Sequence, residues 1–316
     1  MAKKFLEIIT SAYNEEECVR ELFSRIEKVM GAHANYDWRI IFCDNNSSDR
    51  TWELIQELST ETGKVLGVRM SKTFPLDAAF TMGLDIAIAD AVVIMASDLQ
   101  DPPEIIHRFI EKYEEGYEQV VAKVTRRDHV PFLRRVMSNW FYVLANKATG
   151  NVIPRGVSDF RFLSRPAYLA ARKMQEKNRF LRGLIAWTGF KTATIEIERP
   201  PRFAGESTFT QIPIRKVAKW AIAAILAHTT APLIWLSIIG FTLSFISIIA
   251  TAIFSIIWFT SGVPFAGFGT IVGIIILGFS LIMLSIGILA HYLALIYDEV
   301  KARPIYLIAE RTDGVE

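Results

Sequence analysis

The sequence has no charged residue over a long stretch near its C-terminal end. No Lys, Arg, Asp or Glu occurs in the 78 residues from Trp220 to Tyr297, although 22% of the 316 residues are charged. A soluble fold of this length would expose charged side chains somewhere along such a stretch. The absence of charge therefore argues against an ordinary soluble domain here and predicts that this part of the chain lies in lipid.

Two membrane-spanning helices are predicted within the uncharged stretch. The apolar runs Pro232–Thr260 and Thr270–Tyr297 each exceed the roughly 20 residues that a helix needs to cross a hydrocarbon core. Between them, Ser261–Gly269 holds three glycines and one proline and is predicted to be a turn. The alternative, a helical hairpin buried in a large soluble core, is disfavoured because both runs are apolar on every face.

Basic residues flank this hairpin at both ends, and its turn has none. The positive-inside rule therefore predicts a multi-pass protein of the inner (plasma) membrane, with the large N-terminal domain and both termini in the cytoplasm. The predicted boundaries are 1–212 for that domain, 213–231 for a juxtamembrane segment, 232–297 for the hairpin and 298–316 for a cytosolic tail. The juxtamembrane segment is either an interfacial helix or an early start of the first span.

Cysteine is scarce and the net charge is small. Cys18 and Cys43 are the only cysteines, and neither stands at a metal-ligand spacing, so no disulfide framework is predicted. Residues 1–219 carry 32 basic and 28 acidic side chains, which is too balanced for an electrostatic nucleic-acid binder. The chain also lacks GxGxxG, GxxxxGK[ST] and GxSxG, so the fingerprints of dinucleotide-binding, P-loop and α/β-hydrolase proteins are missing.

Apolar runs alternate with amphipathic helical stretches along the N-terminal domain. Strands are predicted at Phe5–Ala12, Arg39–Cys43, Val65–Met70, Ala91–Ala96 and Gln119–Val124, and helices at Glu15–Met30, Thr51–Thr62, Leu76–Ala89 and Pro103–Glu115. Repeated β-α pairs predict a Rossmann-like α/β fold whose mostly parallel sheet is covered on both faces. Ligands of such sheets bind beyond the carboxyl ends of the strands.

Polar residues follow three of the predicted strands. Asp44, after the second strand, can accept hydrogen bonds from a nucleotide, although turn and capping chemistry explains the Asp-Asn-Asn-Ser-Ser run equally well. An acid at the end of a buried strand is harder to explain by packing, so Asp98 is predicted to bind Mg²⁺ or Mn²⁺. Asp101 precedes two prolines and is predicted to cap the next helix.

Six motifs, in this order, resemble those of the family 2 glycosyltransferases with a GT-A fold. More narrowly, they resemble the polyprenyl-phosphate glycosyltransferases, the dolichol-phosphate mannose synthase-like and bactoprenol glucosyltransferase group. The motifs are SAYNEEE (11–17), DNNSSDRT (44–51), SDLQDPPE (97–104), SDFRFLSR (158–165), NRFLRGLIAWTGF (178–190) and RFAGESTF (202–209). This resemblance covers nearly the whole chain. It implies a nucleotide-sugar donor, Mg²⁺ or Mn²⁺, a polyprenyl phosphate acceptor and a polyprenyl-phospho-sugar formed with inversion.

The resemblance also implies roles for particular residues. The nucleotide sugar is expected to contact Tyr13, Glu15, Asp44 and Asp98. The metal is expected to bind Asp98 and Gln100, and Asp159 is expected to lie in the reaction centre. Arg202 and Ser207 are expected near the phosphates. Independently of the resemblance, the charge of two phosphorylated substrates predicts that arginines hold the acceptor phosphate, with Arg126, Arg134 and Arg202 as candidates and Arg127 and Arg135 as further ones. The basic, aromatic segment Pro131–Thr149 is either a helix at the headgroup layer or an ordinary surface helix.

Four positions depart from the usual family pattern. Ala96 occupies the place of the first acid of an Asp-x-Asp motif, which predicts weaker metal binding. Asp44-Asn45-Asn46 replaces Asp-Asp-Gly, Thr208 stands where many relatives have Lys, and Thr73–Asp77 differs from the Asn-Phe-Gly form. These departures keep open a second hypothesis, a catalytically weakened GT-A scaffold or binding module anchored in the membrane.

The expected chemistry needs placement more than proton transfer. A phosphomonoester has a second pKa near 6, so the acceptor oxygen is largely anionic at pH 7. Asp159 is therefore expected to act as a base or, more in keeping with this chemistry, to orient the acceptor. UDP-glucose is the favoured donor, and GDP-mannose and a UDP-aminopentose are the alternatives. A processive polysaccharide synthase is disfavoured, because it would need a wider membrane channel than a two-helix hairpin provides. Glycines in the apolar stretch would permit close helix contacts in a homo-oligomer such as a tetramer.

Overall fold

The computed structural model describes residues 3–125, 157–174, 176, 180–200, 203 and 267–314, and isolated positions between 238 and 260. The chain divides into two compact units. Met1–Val217 and Arg303–Glu316 form the first unit, and Ala218–Ala302 form the second. The segment Arg303–Glu316, beyond the uncharged stretch, therefore belongs to the same unit as the N-terminal domain.

The first unit is an α/β fold built on one eight-stranded sheet. Its strands are β1 (Lys4–Ala12), β2 (Tyr36–Asp44), β3 (Val65–Met70), β4 (Ala91–Ala96), β5 (Gln119–Val124), β6 (Val157–Ser164), β7 (Thr192–Ile197) and β8 (Ile308–Arg311). Its described helices are α1 (Glu16–Gly31), α2 (Thr51–Thr62), α3 (Leu76–Ile86), α4 (Ile105–Glu114), α5 (Arg165–Lys173) and α6 (Leu181–Trp187). The five strands and four helices predicted from the sequence are confirmed, with shifts at their ends.

The strand order is β7-β5-β6-β4-β1-β2-β3-β8. Strand β1 pairs in parallel with β2 and β4, β2 with β3, and β5 with β7. Strand β6 runs antiparallel between β4 and β5, and β8 runs antiparallel to β3. The Rossmann-like, mostly parallel sheet is thus confirmed, whereas the parallel strand β7 and the antiparallel strands β6 and β8 were not predicted.

Both faces of the sheet are covered, and its central strands place apolar side chains on each of them. In β1, Leu6 and Ile8 pack into a core with α1, α2 and α4, whereas Ile9 packs into a core with α3, α5 and α6. Alternate residues of a strand point to opposite faces, so a continuous apolar run fills both cores. This burial leaves the ends of the strands as the places where polar side chains gather.

The second unit contains helix α7, Phe268–Val300, which is 33 residues long. Ile274, Phe279, Ile286 and Leu293 are among its exposed apolar side chains. The predicted span Thr270–Tyr297 lies within α7, whereas the juxtamembrane segment 213–231 and most of the span 232–260 lie outside the described residues. Judged on the described residues alone, no helix is both long and apolar enough to cross a membrane.

Candidate functional site

The candidate site lies at the edge of the sheet where β1, β2 and β4 end. Parallel strands bring their carboxyl ends to one edge, so the residues after Ala12, Asp44 and Ala96 share it. Strand β6 runs the other way and pairs Arg161 with Ile94 near the end of β4. The start of β6, which carries Asp159, therefore lies at the same edge.

Hydrogen bonds join the loops that follow β1 and β2. The backbone N–H of Asn14 donates to Ser47 Oγ at 3.0 Å, and the Ser48 N–H donates to Asn14 Oδ1 at 2.9 Å. Asn14 has a left-handed φ of 54°, a conformation that Asn tolerates better than most residues. Tyr13 is 42% exposed while Glu15 is buried, so these two predicted nucleotide-binding residues differ in their access to a ligand.

Asp44 is fully buried at the end of β2. Its carboxylate accepts hydrogen bonds from the backbone N–H and the hydroxyl of Ser47 and lies 3.4 Å from the Nε of Arg69. Burial raises the pKa of Asp44, while Ser47 and Arg69 oppose that rise. The geometry thus shows the turn chemistry that the sequence left open for Asp44, and this residue shapes the loop that borders the site.

The predicted metal-binding motif follows β4. Asp98 is half-buried, and its Oδ1 accepts the backbone N–H of Gln100 at 3.1 Å. Leu99 between them adopts a positive φ of 59°. Hard oxygen ligands from Asp98 and Gln100 fit Mg²⁺ or Mn²⁺, but no group of three metal-ligating side chains occurs within the described part of the chain.

The prediction that Asp101 caps a helix is wrong. Helix α4 begins only at Ile105, and no side chain caps its start. Asp101 instead accepts the backbone N–H of Ala96 and is bound by Arg199, whose Nη2 lies 2.6 Å from Asp101 Oδ1. Burial raises the pKa of Asp101 and Arg199 opposes the rise. This ion pair fixes the loop after β4 to the segment that follows β7.

Asp159 is held by an arginine that the sequence interpretation did not single out. Arg182, on α6, donates from Nε to Asp159 Oδ1 at 2.5 Å and from Nη2 to Oδ2. Burial alone would raise the pKa of Asp159, but Arg182, supported by Arg161 and Arg199, holds this pKa below its usual range. The carboxylate is therefore ionised, oriented and a poor base.

Two further charged side chains accompany this ion pair, the buried Arg161 and the partly buried Asp77. Arg161 is 3% exposed and donates to the carbonyl oxygens of Ser158 and Asp159; burial lowers its pKa to about 10, so it stays protonated at neutral pH. Burial and the charge of Asp159 raise the pKa of Asp77 to about 6. Asp77 lies in the segment Thr73–Asp77, which departs from the usual family pattern. Its proximity to Asp159 depends on how α3 packs and could not be predicted from the sequence.

The predicted acceptor-phosphate residues Arg126, Arg134, Arg202 and Ser207 lie outside the described residues, as does the segment Pro131–Thr149. The described site thus brings together the loops after β1 and β2, the predicted metal motif and Asp159 at one sheet edge. Arg182 was visible in the sequence only as part of the motif at 178–190, and Arg199 only as the residue before two prolines.

Residues 7–169 of the sequence match the family model described as glycosyl transferase family 2. The chain belongs to that family. Family 2 membership makes the protein a glycosyltransferase and accounts for its Rossmann-like sheet, which is the GT-A arrangement expected from the sequence motifs.

Relatives of this family 2 glycosyltransferase are similar over nearly their full length. YkcC of Bacillus subtilis, an uncharacterized glycosyltransferase, is 32% identical over 98% of this chain and 94% of its own. The bactoprenol glucosyl transferase of Shigella phage SfX is 33% identical over 97% of this chain and 99% of its own. A solved structure of glucosyl-3-phosphoglycerate synthase from Mycobacterium tuberculosis, with Mn²⁺ and UDP, is 16% identical, with a TM-score of 0.48 over 71% of this chain and 77% of that one.

Proposed function

We propose that this glycosyltransferase transfers glucose from UDP-glucose to a polyprenyl phosphate, such as undecaprenyl phosphate, with inversion at the anomeric carbon. The observation that carries the proposal is the similarity to a bactoprenol glucosyl transferase over 97% of this chain and 99% of that protein. A match of that extent includes the uncharged stretch as well as the α/β unit. GDP-mannose and a UDP-aminopentose are the competing donors.

The geometry of the sheet edge supports a nucleotide-sugar donor. The joined loops after β1 and β2 carry Tyr13, Glu15 and Asp44, which would bind the nucleotide side. Asp98 and Gln100, after the neighbouring strand β4, would hold Mg²⁺ or Mn²⁺ together with oxygens of the donor diphosphate. When bound, such a cation neutralises charge on the leaving diphosphate.

Asp159 would orient the acceptor or the sugar rather than remove a proton. Its low pKa, set by Arg182, makes it a weak base, and the acceptor phosphate is already anionic near pH 7. A fixed carboxylate can contribute to catalysis by helping to place the acceptor opposite the leaving group, without removing a proton. Arg202 and Ser207 are proposed to hold the acceptor phosphate, as the family resemblance implies. Arg126 and Arg134 are proposed to do so because their positive charge would relieve the repulsion between two phosphorylated substrates.

A lipid-linked acceptor would explain why this glycosyltransferase has a long uncharged stretch. The spans 232–260 and 270–297 are proposed to form a hairpin in the inner membrane, with the catalytic unit and both termini in the cytoplasm. The exposed apolar side chains of α7 support this proposal. So does the connectivity, because the residues before and after Ala218–Ala302 belong to one unit, and a segment with both ends on one side crosses a bilayer an even number of times.

The test uses purified full-length protein with undecaprenyl phosphate, Mg²⁺ or Mn²⁺, and a panel of UDP-glucose, GDP-mannose and a UDP-aminopentose. Lipid-linked glucose from UDP-glucose is the expected product. Asp159→Asn should abolish product while UDP still binds, and Asp37→Asn, at an exposed position on β2, is the matched control. Product from another donor would correct the sugar. Nucleotide binding without product from any donor would overturn the proposed reaction and favour a catalytically weakened, membrane-anchored binding module.

A further inference from the structure

The C-terminal segment after α7 is built into the first unit. Strand β8 pairs with β3, with Arg69 opposite Glu310 and Val68 opposite Arg311. Beyond the strand, the backbone N–H of Thr312 donates to the Gly67 carbonyl at 3.0 Å, and Gly67 N–H donates to Thr312 Oγ1 at 2.9 Å. This pairing continues the sheet beyond β3, so the segment from Ile308 to Thr312 is part of the fold.

Glu310 lies where this strand meets the loop that follows β2. Its Oε2 accepts the indole N–H of Trp52 at 3.1 Å, and its Oε1 accepts Nη1 of Arg69 at 3.4 Å. The same arginine donates from Nη2 to the Ser47 carbonyl at 3.1 Å, and its Nε lies 3.4 Å from the Asp44 carboxylate. Each nitrogen of the Arg69 guanidinium therefore has its own partner, one from the C-terminal strand and two from the candidate nucleotide loop.

This arrangement restrains the loop more than it stabilises the fold. The side chain of Glu310 is 51% exposed and that of Arg69 is 26% exposed, and exposed ion pairs contribute little to global stability. The planar guanidinium, by contrast, fixes direction when all its nitrogens are occupied. Loss of the Glu310 contact would leave Arg69, and with it Ser47 and Asp44, less ordered before a ligand binds.

We propose that Glu310 is a positioning residue for the nucleotide site, acting through Arg69 on the loop that carries Asp44 and Ser47. The C-terminal strand would thereby set the affinity for the donor nucleotide, because a loop already held in its binding conformation loses less entropy when the ligand binds. This inference rests on the proposed nucleotide-sugar donor. It adds Glu310 to the residues that shape the proposed nucleotide site, although Glu310 is more than 250 positions from Asp44 and Ser47 in the sequence.

The experiment measures the dissociation constants of UDP and GDP, with Mn²⁺ present, for the full-length protein in detergent. Glu310→Gln keeps the shape of the side chain but removes the charge that holds Arg69. Glu53→Gln is the matched control, since Glu53 is an exposed carboxylate on α2 that pairs with Arg50. Glu310→Gln should raise the dissociation constant of UDP about three- to tenfold, with the melting temperature and the turnover number at saturating donor as in the control.

A double substitution separates positioning from a general effect. In an Arg69→Gln background, Glu310→Gln should cause no further loss of affinity, because the proposed path runs through Arg69. The inference is overturned if Glu310→Gln binds UDP as the control does, or weakens binding by the same factor with and without Arg69. If the unsubstituted protein binds GDP instead of UDP, the comparison is made with GDP and only the donor assignment changes. If it binds neither nucleotide, the proposed donor and this inference both fail.

Discussion

Arg182 donates hydrogen bonds to both carboxylate oxygens of Asp159 and thereby joins α6 to the start of β6. A bidentate pair fixes the plane of a carboxylate as well as its charge. Because Asp159 is only 18% exposed, this orientation is maintained by the interior of the protein rather than by solvent. The pair therefore defines how Asp159 faces the site.

Replacement of Arg182 by Lys should slow sugar transfer without weakening nucleotide binding. Lys keeps the positive charge but cannot hold both oxygens, so Asp159 would lose its fixed plane. We expect the turnover number to fall about 10- to 100-fold, with the dissociation constant of UDP unchanged. Arg172→Lys, at a half-exposed ion pair with Asp85, is the control. Equal turnover in the two variants would contradict the orienting role.

Restoration of the missing acid in the metal motif should strengthen metal binding. Ala96 is only partly buried and lies two residues before Asp98, so an Asp there could add a hard oxygen ligand. For Ala96→Asp we expect a Mn²⁺ dissociation constant lower by about tenfold, or about 1.4 kcal/mol. Activity should rise only when Mn²⁺ is limiting. Ala96→Asn, which adds bulk without charge, should leave metal affinity near that of the unsubstituted protein; the same gain in both variants would refute the ligand assignment.

Local sequence patterns predicted five of the eight described strands of the sheet. Strands β1 to β5 are apolar runs of ordinary length, and the turn-forming Asp44 and Asn46 mark the end of β2. Strand β8, by contrast, spans four residues, two of them charged, and is a strand only because β3 offers it an open edge. No periodicity is visible in so short a segment.

The charged partners at the site could not be predicted in the same way. Asp159 was identified through its motif, but its ion pair with Arg182 joins residues 23 positions apart and depends on how α6 packs. The interpretation of Asp101 failed for a similar reason, since proximity to prolines suggested a local cap whereas Arg199 binds it from 98 positions away. Tertiary contacts thus overrode local capping propensity.

The raised pKa of Asp77 predicts a pH-dependent stability. Its pKa is about 6 in the folded protein against a usual value of 3.8, so the ionised form is disfavoured by folding. Below about pH 4 Asp77 is protonated in both the folded and the unfolded protein, so it does not oppose folding. The free energy of unfolding then falls as the pH rises from about 4 to about 6. Asp77→Asn should remove that loss and stabilise the protein at pH 8 by up to about 3 kcal/mol.

Denaturant unfolding of the purified protein at several pH values measures this difference. The gain from Asp77→Asn should vanish near pH 4 and stay constant above pH 7. Asp37→Asn, at an exposed carboxylate, should show no comparable dependence. A gain that is the same at pH 4 and pH 8 would show that the substitution acts through packing and not through ionisation.

Replacement of Gly83 by Ala should destabilise the sheet beneath the site. Gly83 lies in α3, where an added Cβ would stand 2.2 Å from Ile9 Cγ2 and 3.1 Å from Cys43 Sγ. Both neighbours are fully buried in central strands, so neither can move without disturbing β1 or β2, whose ends lead into the loops of the candidate site. Overpacking of this kind typically lowers the free energy of unfolding by about 1–3 kcal/mol.

Gly31→Ala is the matched control for that measurement. A Cβ at Gly31, the last residue of α1, would meet nothing within 4 Å, and removal of a helical glycine stabilises by about 0.5–1 kcal/mol. The two Gly→Ala changes should therefore shift the denaturation midpoint in opposite directions. If Gly83→Ala raises the denaturation midpoint, as Gly31→Ala is expected to do, the close packing of α3 against Ile9 of β1 would be contradicted.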